Sequence, residues 1–121
     1  MISQETIKIE LDYKFINLND MINLSRGNKY YANTQKKQEM EYVKWVTIKT
    51  PKITEYPVKI DVTWHVKSKN FDLDNKIIKN ILDALVNAKI LKNDNYNCVN
   101  EISYKAVVDG KEKVELIITK N

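Results

Sequence analysis

The sequence contains few of the residues that cross-link small proteins or interrupt their helices and strands. Its 121 residues include one cysteine, two glycines, two prolines and one histidine. The single cysteine, Cys98, excludes a disulfide within the chain, suits a reducing compartment, and is interpreted as a small buried apolar residue. One cysteine and one histidine, His65, cannot supply the ligands of an ordinary structural zinc site. With so little glycine and proline, turns must be built largely from asparagine and aspartate.

Arginine is nearly absent too, since Arg26 is the only one among twenty basic residues. Sixteen acidic residues leave a formal net charge of +4, and the isoelectric point is about 9.0. An excess of this size permits nucleic-acid binding. The lysine-, asparagine- and isoleucine-rich composition of an AT-rich genome accounts for the charge equally well.

Long apolar runs are also missing, and the start of the sequence carries no signal-peptide pattern. These absences predict a cytoplasmic protein with no membrane partner. The length favours a single domain over residues 1–121. Hydrophobic residues at 43% and charged residues at 30% favour a globular chain over a disordered one.

Hydrophobic periodicity predicts seven elements in the order β-α-α-β-α-β-β. The clearest is an unbroken alternation over 58–67, which predicts a strand with Trp64 facing the core and His65 on the polar side. The other predicted elements are a strand over 7–11, a short helix after 17–20, helices over 29–48 and 74–89, and strands over 102–108 and 114–118. Asp109-Gly110 between the last two predicts a hairpin. The order favours an α+β domain with a mixed, mainly antiparallel sheet and helices packed on it.

The helix over 29–48 is expected to be amphipathic. Its apolar positions point to the core, and the pattern assigns Trp45 to that core. Charged positions, Glu39 among them, are expected to form the solvent-facing side.

Two carboxylates, Asp72 and Asp74, stand two residues apart at the predicted entry of the helix over 74–89, with Asn75 directly after them. Free backbone N–H groups and the helix dipole favour negative charge at such an entry. The plain interpretation is therefore that one of them caps the helix, with a contribution of about 1 kcal/mol.

A hard cation is the other interpretation of this pair. Mg²⁺ usually binds one or two protein carboxylates and keeps several waters. If residue 73 is extended, Asp72 and Asp74 share one face and Leu73 turns inward. Asp94 in the next polar loop could add a third carboxylate. An EF-hand does not fit, because Ile77 would stand where that loop requires glycine.

Four features follow one another along the chain from this point. They are Asp72-Leu73-Asp74-Asn75, then Lys79, then Ile81-Leu82-Asp83-Ala84-Leu85, then Asn93-Asp94. Together they resemble the RusA family of Holliday-junction resolvases. The segment 19–37 resembles the short phage and prophage members of that family, so that the similarity spans roughly residues 17–105.

The resemblance implies a homodimeric, Mg²⁺-dependent endonuclease, with Mn²⁺ as a substitute ion. It would cut branched DNA, resolving four-way junctions by paired nicks in a bacterial or phage-infected cell. The residues that match the catalytic, metal-binding carboxylates are Asp72, Asp74 and Asp94. The last of these would act alone, because Asn93 stands where the family often has an adjacent acid. The catalytic lysine is Lys79 if one extra residue is allowed after Asn75, and Lys76 is the alternative.

The chemistry of phosphodiester hydrolysis agrees with this set. Carboxylate-held Mg²⁺ activates water and stabilises the leaving oxygen, and a lysine stabilises charge on the phosphate. Asn75 and Asp83 are expected to orient the ligands, although a plain ion pair with Lys79 also explains Asp83. Basic and aromatic residues expected to contact DNA, each with a solvated-surface or core-packing alternative, are Arg26, Lys29, Tyr30, Lys36, Lys37, Lys67, Lys69 and Lys76.

Two further hypotheses compete with the nuclease. One is a non-catalytic nucleic-acid-binding module of the same fold, acting in phage replication or recombination. It becomes the better interpretation if Asp72, Asp74 and Asp94 lie too far apart for one cation to bridge. The other is a purely structural domain, which would show no salt-dependent affinity for DNA.

Overall fold

The structure, a computed structural model, describes residues 6–27 and 29–121, apart from the side chains of residues 24, 25 and 29–32. The described elements follow the predicted order, with one 3₁₀ helix added. They are β1 (Ile7–Leu11), α1 (Leu18–Gly27), α2 (Lys29–Val46), β2 (Val58–Val66), the 3₁₀ helix Leu73–Asn75, α3 (Lys79–Asn87), β3 (Val99–Val108) and β4 (Lys113–Lys120).

The strands form one mixed sheet in the order β1-β4-β2-β3. β4 pairs antiparallel with both β1 and β2, whereas β3 runs parallel to β2. The predicted α+β class, with a mixed and mainly antiparallel sheet, is therefore confirmed. β2 has β4 along one edge and β3 along the other, and its alternate residues from Val58 to Val66 are all buried.

The helices cover one face of this sheet. Val43 of α2 and Ile81 and Leu85 of α3 are fully buried in the core, together with the apolar face of β2. Trp64 belongs to this core as predicted, and Cys98 is buried as predicted.

The predicted hairpin at Asp109-Gly110 is wrong. β3 and β4 both pair with β2 and lie on opposite sides of it, so the connection between them passes over the end of β2. The Asp109 N–H donates to the Val66 carbonyl at 3.2 Å as the chain crosses. Gly110 adopts φ +79°, which glycine reaches at no steric cost. The turn chemistry was recognised correctly, but a local signal does not show which strand lies between its two arms.

The helix predicted over 74–89 is divided, and its first part is wrong. Leu73–Asn75 form a 3₁₀ turn, Lys76 is extended at φ −79° and ψ 136°, and α3 begins at Lys79. The Ile78 N–H donates to the Tyr104 hydroxyl of β3 at 3.0 Å. This tertiary hydrogen bond gives a partner to the backbone N–H that precedes α3, while the extended Lys76 separates α3 from the 3₁₀ turn.

Glu39 occupies the core, contrary to the predicted solvent-facing position, and is fully buried. Its carboxylate accepts the Ile16 N–H at 2.7 Å and the Asn80 side-chain amide at 2.8 Å. It thereby joins the β1–α1 connection, α2 and α3. Trp45 on the same helix was predicted to lie in the core, but 74% of its surface is exposed. Both errors have one cause: periodicity locates a stripe, but tertiary packing decides which side of a long helix is covered.

We expect Glu39→Ala to lower the free energy of unfolding by about 2–4 kcal/mol, because it leaves two buried donors without an acceptor. Urea unfolding followed by circular dichroism measures this. Glu41→Ala, at an exposed position of the same helix, is the matched control and should stay within about 0.5 kcal/mol of wild type. Equal stability of the two variants would show that the buried carboxylate is not a structural link.

Candidate functional site

The two aspartates lie on a short turn between β2 and α3, which we call the aspartate turn (residues 72–75). Asp72 is extended at φ −108° and ψ 125° and precedes the 3₁₀ helix Leu73–Asn75. The turn is closed by the Asn75 N–H donating to the Asp72 carbonyl at 3.0 Å. Both aspartates are exposed, and Leu73, expected to turn inward, is itself 38% exposed.

The carboxylates of Asp72 and Asp74 do not cap a helix. Asp72 makes no side-chain capping hydrogen bond to the 3₁₀ helix, and the residue that precedes α3 is Ile78. Among the described residues, neither carboxylate is in an ion pair or a side-chain hydrogen bond. The capping interpretation therefore fails, and the acceptor capacity of both groups is available to a ligand.

The Asn75 side chain fixes the turn to the rest of the protein. Its Oδ1 accepts the Asn19 N–H at 2.9 Å, and Asn19 lies in the first turn of α1. Asn17 caps the same helix, with its Oδ1 accepting the Asp20 N–H at 2.8 Å. The backbone N–H of Asn19, at the start of α1, thus holds the segment that carries the two aspartates.

Asp94 is exposed in the loop that follows α3. Its N–H donates to the Asn93 side chain at 2.7 Å. Across residues 6–27 and 29–121, no group of three or more histidine, cysteine, aspartate or glutamate side chains is placed to hold a metal ion. In this structure Asp94 therefore does not join Asp72 and Asp74 in a three-carboxylate cluster. The exposed oxygens of the aspartate turn suit a hard cation that keeps most of its waters.

Asp83 has two lysine partners. The Lys36 amine on α2 lies 3.0 Å from Asp83 Oδ2, whereas the Lys79 amine, four residues away on the same helix, lies 3.8 Å from it. The i,i+4 pair expected as the plain alternative is present, but the shorter contact is the tertiary one. Lys36 is consequently engaged in an ion pair, and the Lys79 side chain stays 67% exposed.

Lys76, the alternative lysine, is half-buried beside the aspartate turn. Its amine lies 5.9 Å from the Trp64 ring centroid and 5.8 Å from that of Phe71, within the range of a cation–π contact. Burial lowers the pKa of Lys76, the nearby charge of Lys14 lowers it further, and Glu112 opposes the change. Lys14 was missed from sequence, because it stands in an irregular connection with no motif around it.

The remaining residues expected to contact DNA are dispersed. Arg26, Lys37 and Lys69 are exposed, and Lys67 pairs with Glu112 at 3.6 Å. The predictions for Lys29 and Tyr30 concern side chains outside the described part of the structure.

His65 connects three parts of the sheet. Its Nδ1 lies 2.6 Å from Asp109 Oδ2 and its Nε2 lies 3.1 Å from Glu115 Oε1. Each ring nitrogen therefore faces one carboxylate oxygen. The hydrogen bond to His65 lowers the pKa of Asp109 most. Burial raises the pKa of Glu115, but the charges of Lys8 and His65 outweigh it, with Lys113 contributing as well, so that this pKa is also lowered. His65, predicted to lie on the polar side of the strand, thus links β2 to the connection after β3 and to β4.

Two comparisons of the sequence with known proteins give no match. No protein-family model matches the chain, and no curated protein matches its sequence. Among the described helices, none combines the length and the apolar character needed to cross a membrane. The interpretation of the site therefore depends on its own geometry.

The lowered pKa values predict how His65 affects stability at low pH. A carboxyl whose folded pKa is lowered stabilises the fold above its ordinary value, about pH 4, and loses that contribution as the pH falls through the folded pKa. Wild type should therefore melt at a higher temperature than His65→Gln at about pH 5.5, and the difference should close towards about pH 3.

Thermal unfolding followed by circular dichroism at several pH values measures the difference. Lys105→Gln, at an exposed position of β3, should give a curve parallel to wild type. A gap between wild type and His65→Gln that stays constant down to the lowest pH would show that the histidine does not act through these carboxylates.

Proposed function

We propose that this protein is a Mg²⁺-dependent, structure-specific endonuclease of the RusA type, which resolves four-way DNA junctions by paired nicks. The observation that carries the proposal is the aspartate turn. Two carboxylates, Asp72 and Asp74, are exposed, unpaired and held on a segment that is hydrogen-bonded to α1. Carboxylates that no other described side chain engages keep their oxygens available to a divalent cation.

The donor chemistry favours an oxygen-seeking ion. Asp72 and Asp74 would hold Mg²⁺, or Mn²⁺ in its place, through carboxylate oxygens, with water completing the coordination. When bound, the ion supplies an activated water and stabilises the leaving oxygen of the phosphodiester. The hydrogen bond between Asn19 and Asn75 keeps the turn in place, so the carboxylates need little reordering on binding.

The third carboxylate requires a change of conformation. Asp94 is the proposed additional ligand, yet no described group of three acids is assembled. Its loop, residues 92–97, would therefore approach the aspartate turn when the ion and DNA bind. Residues in that loop are mostly exposed, so few packing contacts oppose such a movement.

The proposed catalytic lysine is Lys79. Its side chain is 67% exposed and its amine is 3.8 Å from Asp83, an arrangement that leaves it available to a phosphate oxygen while Asp83 limits its movement. Lys76 is the alternative, but its amine lies against two aromatic rings. Exposed Arg26, Lys37 and Lys69 are proposed to contact the DNA backbone.

Paired nicks imply two copies of the site. A four-way junction has two-fold symmetry, so a symmetric homodimer would present one aspartate turn to each of two opposed strands. The proposed place of action is the cytoplasm of a bacterial or phage-infected cell, where branched DNA arises during replication and recombination.

A non-catalytic module that binds branched DNA is the second candidate. The observation in its favour is that, among the described residues, Asp94 does not join Asp72 and Asp74 in a three-carboxylate group. This is the separation that favours binding without catalysis, since cleavage requires the 92–97 loop to move and binding does not. This candidate predicts salt-dependent binding of the junction with no cleavage on addition of Mg²⁺ or Mn²⁺.

We expect Asp74→Asn to lower Mg²⁺-dependent cleavage of a synthetic four-way junction by more than about 100-fold, since even outer residues of metal sites contribute about 10- to 100-fold. Binding of the junction should survive, because the change removes a carboxylate and no positive charge. Gel assays of cleavage and of binding measure the two effects separately.

Asp12→Asn, at an exposed aspartate outside the proposed site, is the matched control and should cleave like wild type. Linear duplex and a reaction with chelator complete the set. Normal cleavage by Asp74→Asn would show that the site is wrongly assigned, and tight binding without cleavage by wild type would favour the binding module.

A further inference from the structure

A cavity of about 590 Å³ lies beside the aspartate turn and plays no part in the function proposed above. It is an open cleft lined by the β1–α1 connection, α1, α2 and Lys76. Its polar lining comes from amides and charges on these elements, namely Lys14, Asn17, Asp20, Asn23, Gln35 and Lys76. A volume of this size is typical of sites for small organic ligands and is far larger than a single ion needs.

A second, smaller cavity of about 270 Å³ shares Lys14 and Lys76 with the first. The two lysines therefore stand where the cavities meet. Two other lysines line the smaller cavity, Lys67 and Lys113, and each forms a salt bridge with a glutamate, at 3.6 Å and 3.5 Å. Within the described part of the chain, Lys14 and Lys76 have no carboxylate within 4 Å.

The Lys76 amine is held in position, since it lies against the rings of Trp64 and Phe71. Asp20 lines the larger cavity and Glu112 the smaller one, but neither carboxylate pairs with Lys14 or Lys76, so an anion between the two amines would reduce their mutual repulsion. Ammonium groups bind phosphate as point charges. Two amines that line one cavity therefore suit a phosphate group, which carries more than one anionic oxygen.

We propose that Lys14 and Lys76 together bind the phosphate group of one nucleotide, whose nucleoside occupies the 590 Å³ cavity between α1 and α2. Asn23 and Gln35 supply side-chain amides, which both donate and accept hydrogen bonds as the edges of bases require. The inference rests on the proposed function in one respect: the nucleotide is taken to be a unit of the DNA strand that passes the aspartate turn. A free phosphate or mononucleotide would present the same chemistry.

The first test measures DNA binding with chelator present, so that cleavage plays no part. Lys14→Gln and Lys76→Met should each weaken junction binding about 3- to 10-fold and lower the slope of log affinity against log salt by up to about 0.9. Because one phosphate is shared, the double variant should lower the slope no further than the stronger single variant. Lys120→Met, at an exposed lysine remote from the cavity, should behave as wild type.

Two controls address folding and charge. Thermal unfolding shows whether Lys76→Met remains folded, and Lys76→Arg, which keeps the charge, should restore most of the affinity. If the double variant lowers the slope by about 1.8, the two lysines contact two separate phosphates of the DNA backbone. If both single variants bind like wild type, neither lysine contacts the DNA. Either result overturns the proposal.

The second test identifies the source of the phosphate. Inorganic phosphate and a deoxynucleoside monophosphate should each raise the melting temperature of wild type, and neither should raise that of the lysine variants. Gly27 also lines the cavity, and a Cβ there would meet no atom within 4 Å. Gly27→Phe should therefore reduce stabilisation by the nucleotide and keep stabilisation by phosphate, whereas Gly27→Ala should keep both.

Competition separates phosphate from acidic peptide. If polyglutamate displaces the junction from wild type as well as inorganic phosphate does, the site is not selective and the proposal is wrong. If Asp74→Asn does not reduce cleavage, the proposed function is wrong, but the binding results still test this inference because they are obtained without metal. Intact cleavage with no lysine-dependent phosphate binding would overturn this inference alone.

Discussion

The buried carboxylate of Glu39 is the contact on which the arrangement of the helices depends. It accepts hydrogen bonds from the Ile16 backbone and from the Asn80 side chain, which belong to the start of the helical layer and to α3. A buried acid with two donors is costly to leave unpaired, so this geometry disfavours other packings of the same helices. The position of α1, and with it the Asn19 N–H that holds the aspartate turn, follows from this contact.

The candidate site is assembled from segments that are distant in sequence. The aspartate turn follows β2, its anchor Asn19 precedes it by 56 residues, and Lys14 of the neighbouring cavity belongs to the connection after β1. The aspartate turn and the connection that carries Lys14 are irregular, whereas Asn19 lies in the first turn of α1. The elements around them, β2 above all, provide rigidity, while the irregular backbone leaves side chains exposed for binding.

Regular alternation made β2 and the α+β class predictable, because a strand with one buried face leaves a period of two in the sequence. The same periodicity could not place Glu39 or Trp45, since it does not show which side of α2 another element covers. It also extended α3 through Ile77 and Ile78, whereas the backbone is extended at Lys76 and α3 begins at Lys79. The aspartate pair was visible as a motif, whereas Lys14 became apparent when the fold placed it opposite Lys76.

The position of β4 affects how the protein folds as it is synthesised. β4 is the last strand to be made, yet it lies between β1 and β2 and pairs with both. Until β4 leaves the ribosome, the edges of β1 and β2 that it joins have no partner within the chain, and such edges readily pair with other chains. The sheet therefore cannot close until β4 has been synthesised, so the pairings on both sides of this strand form last.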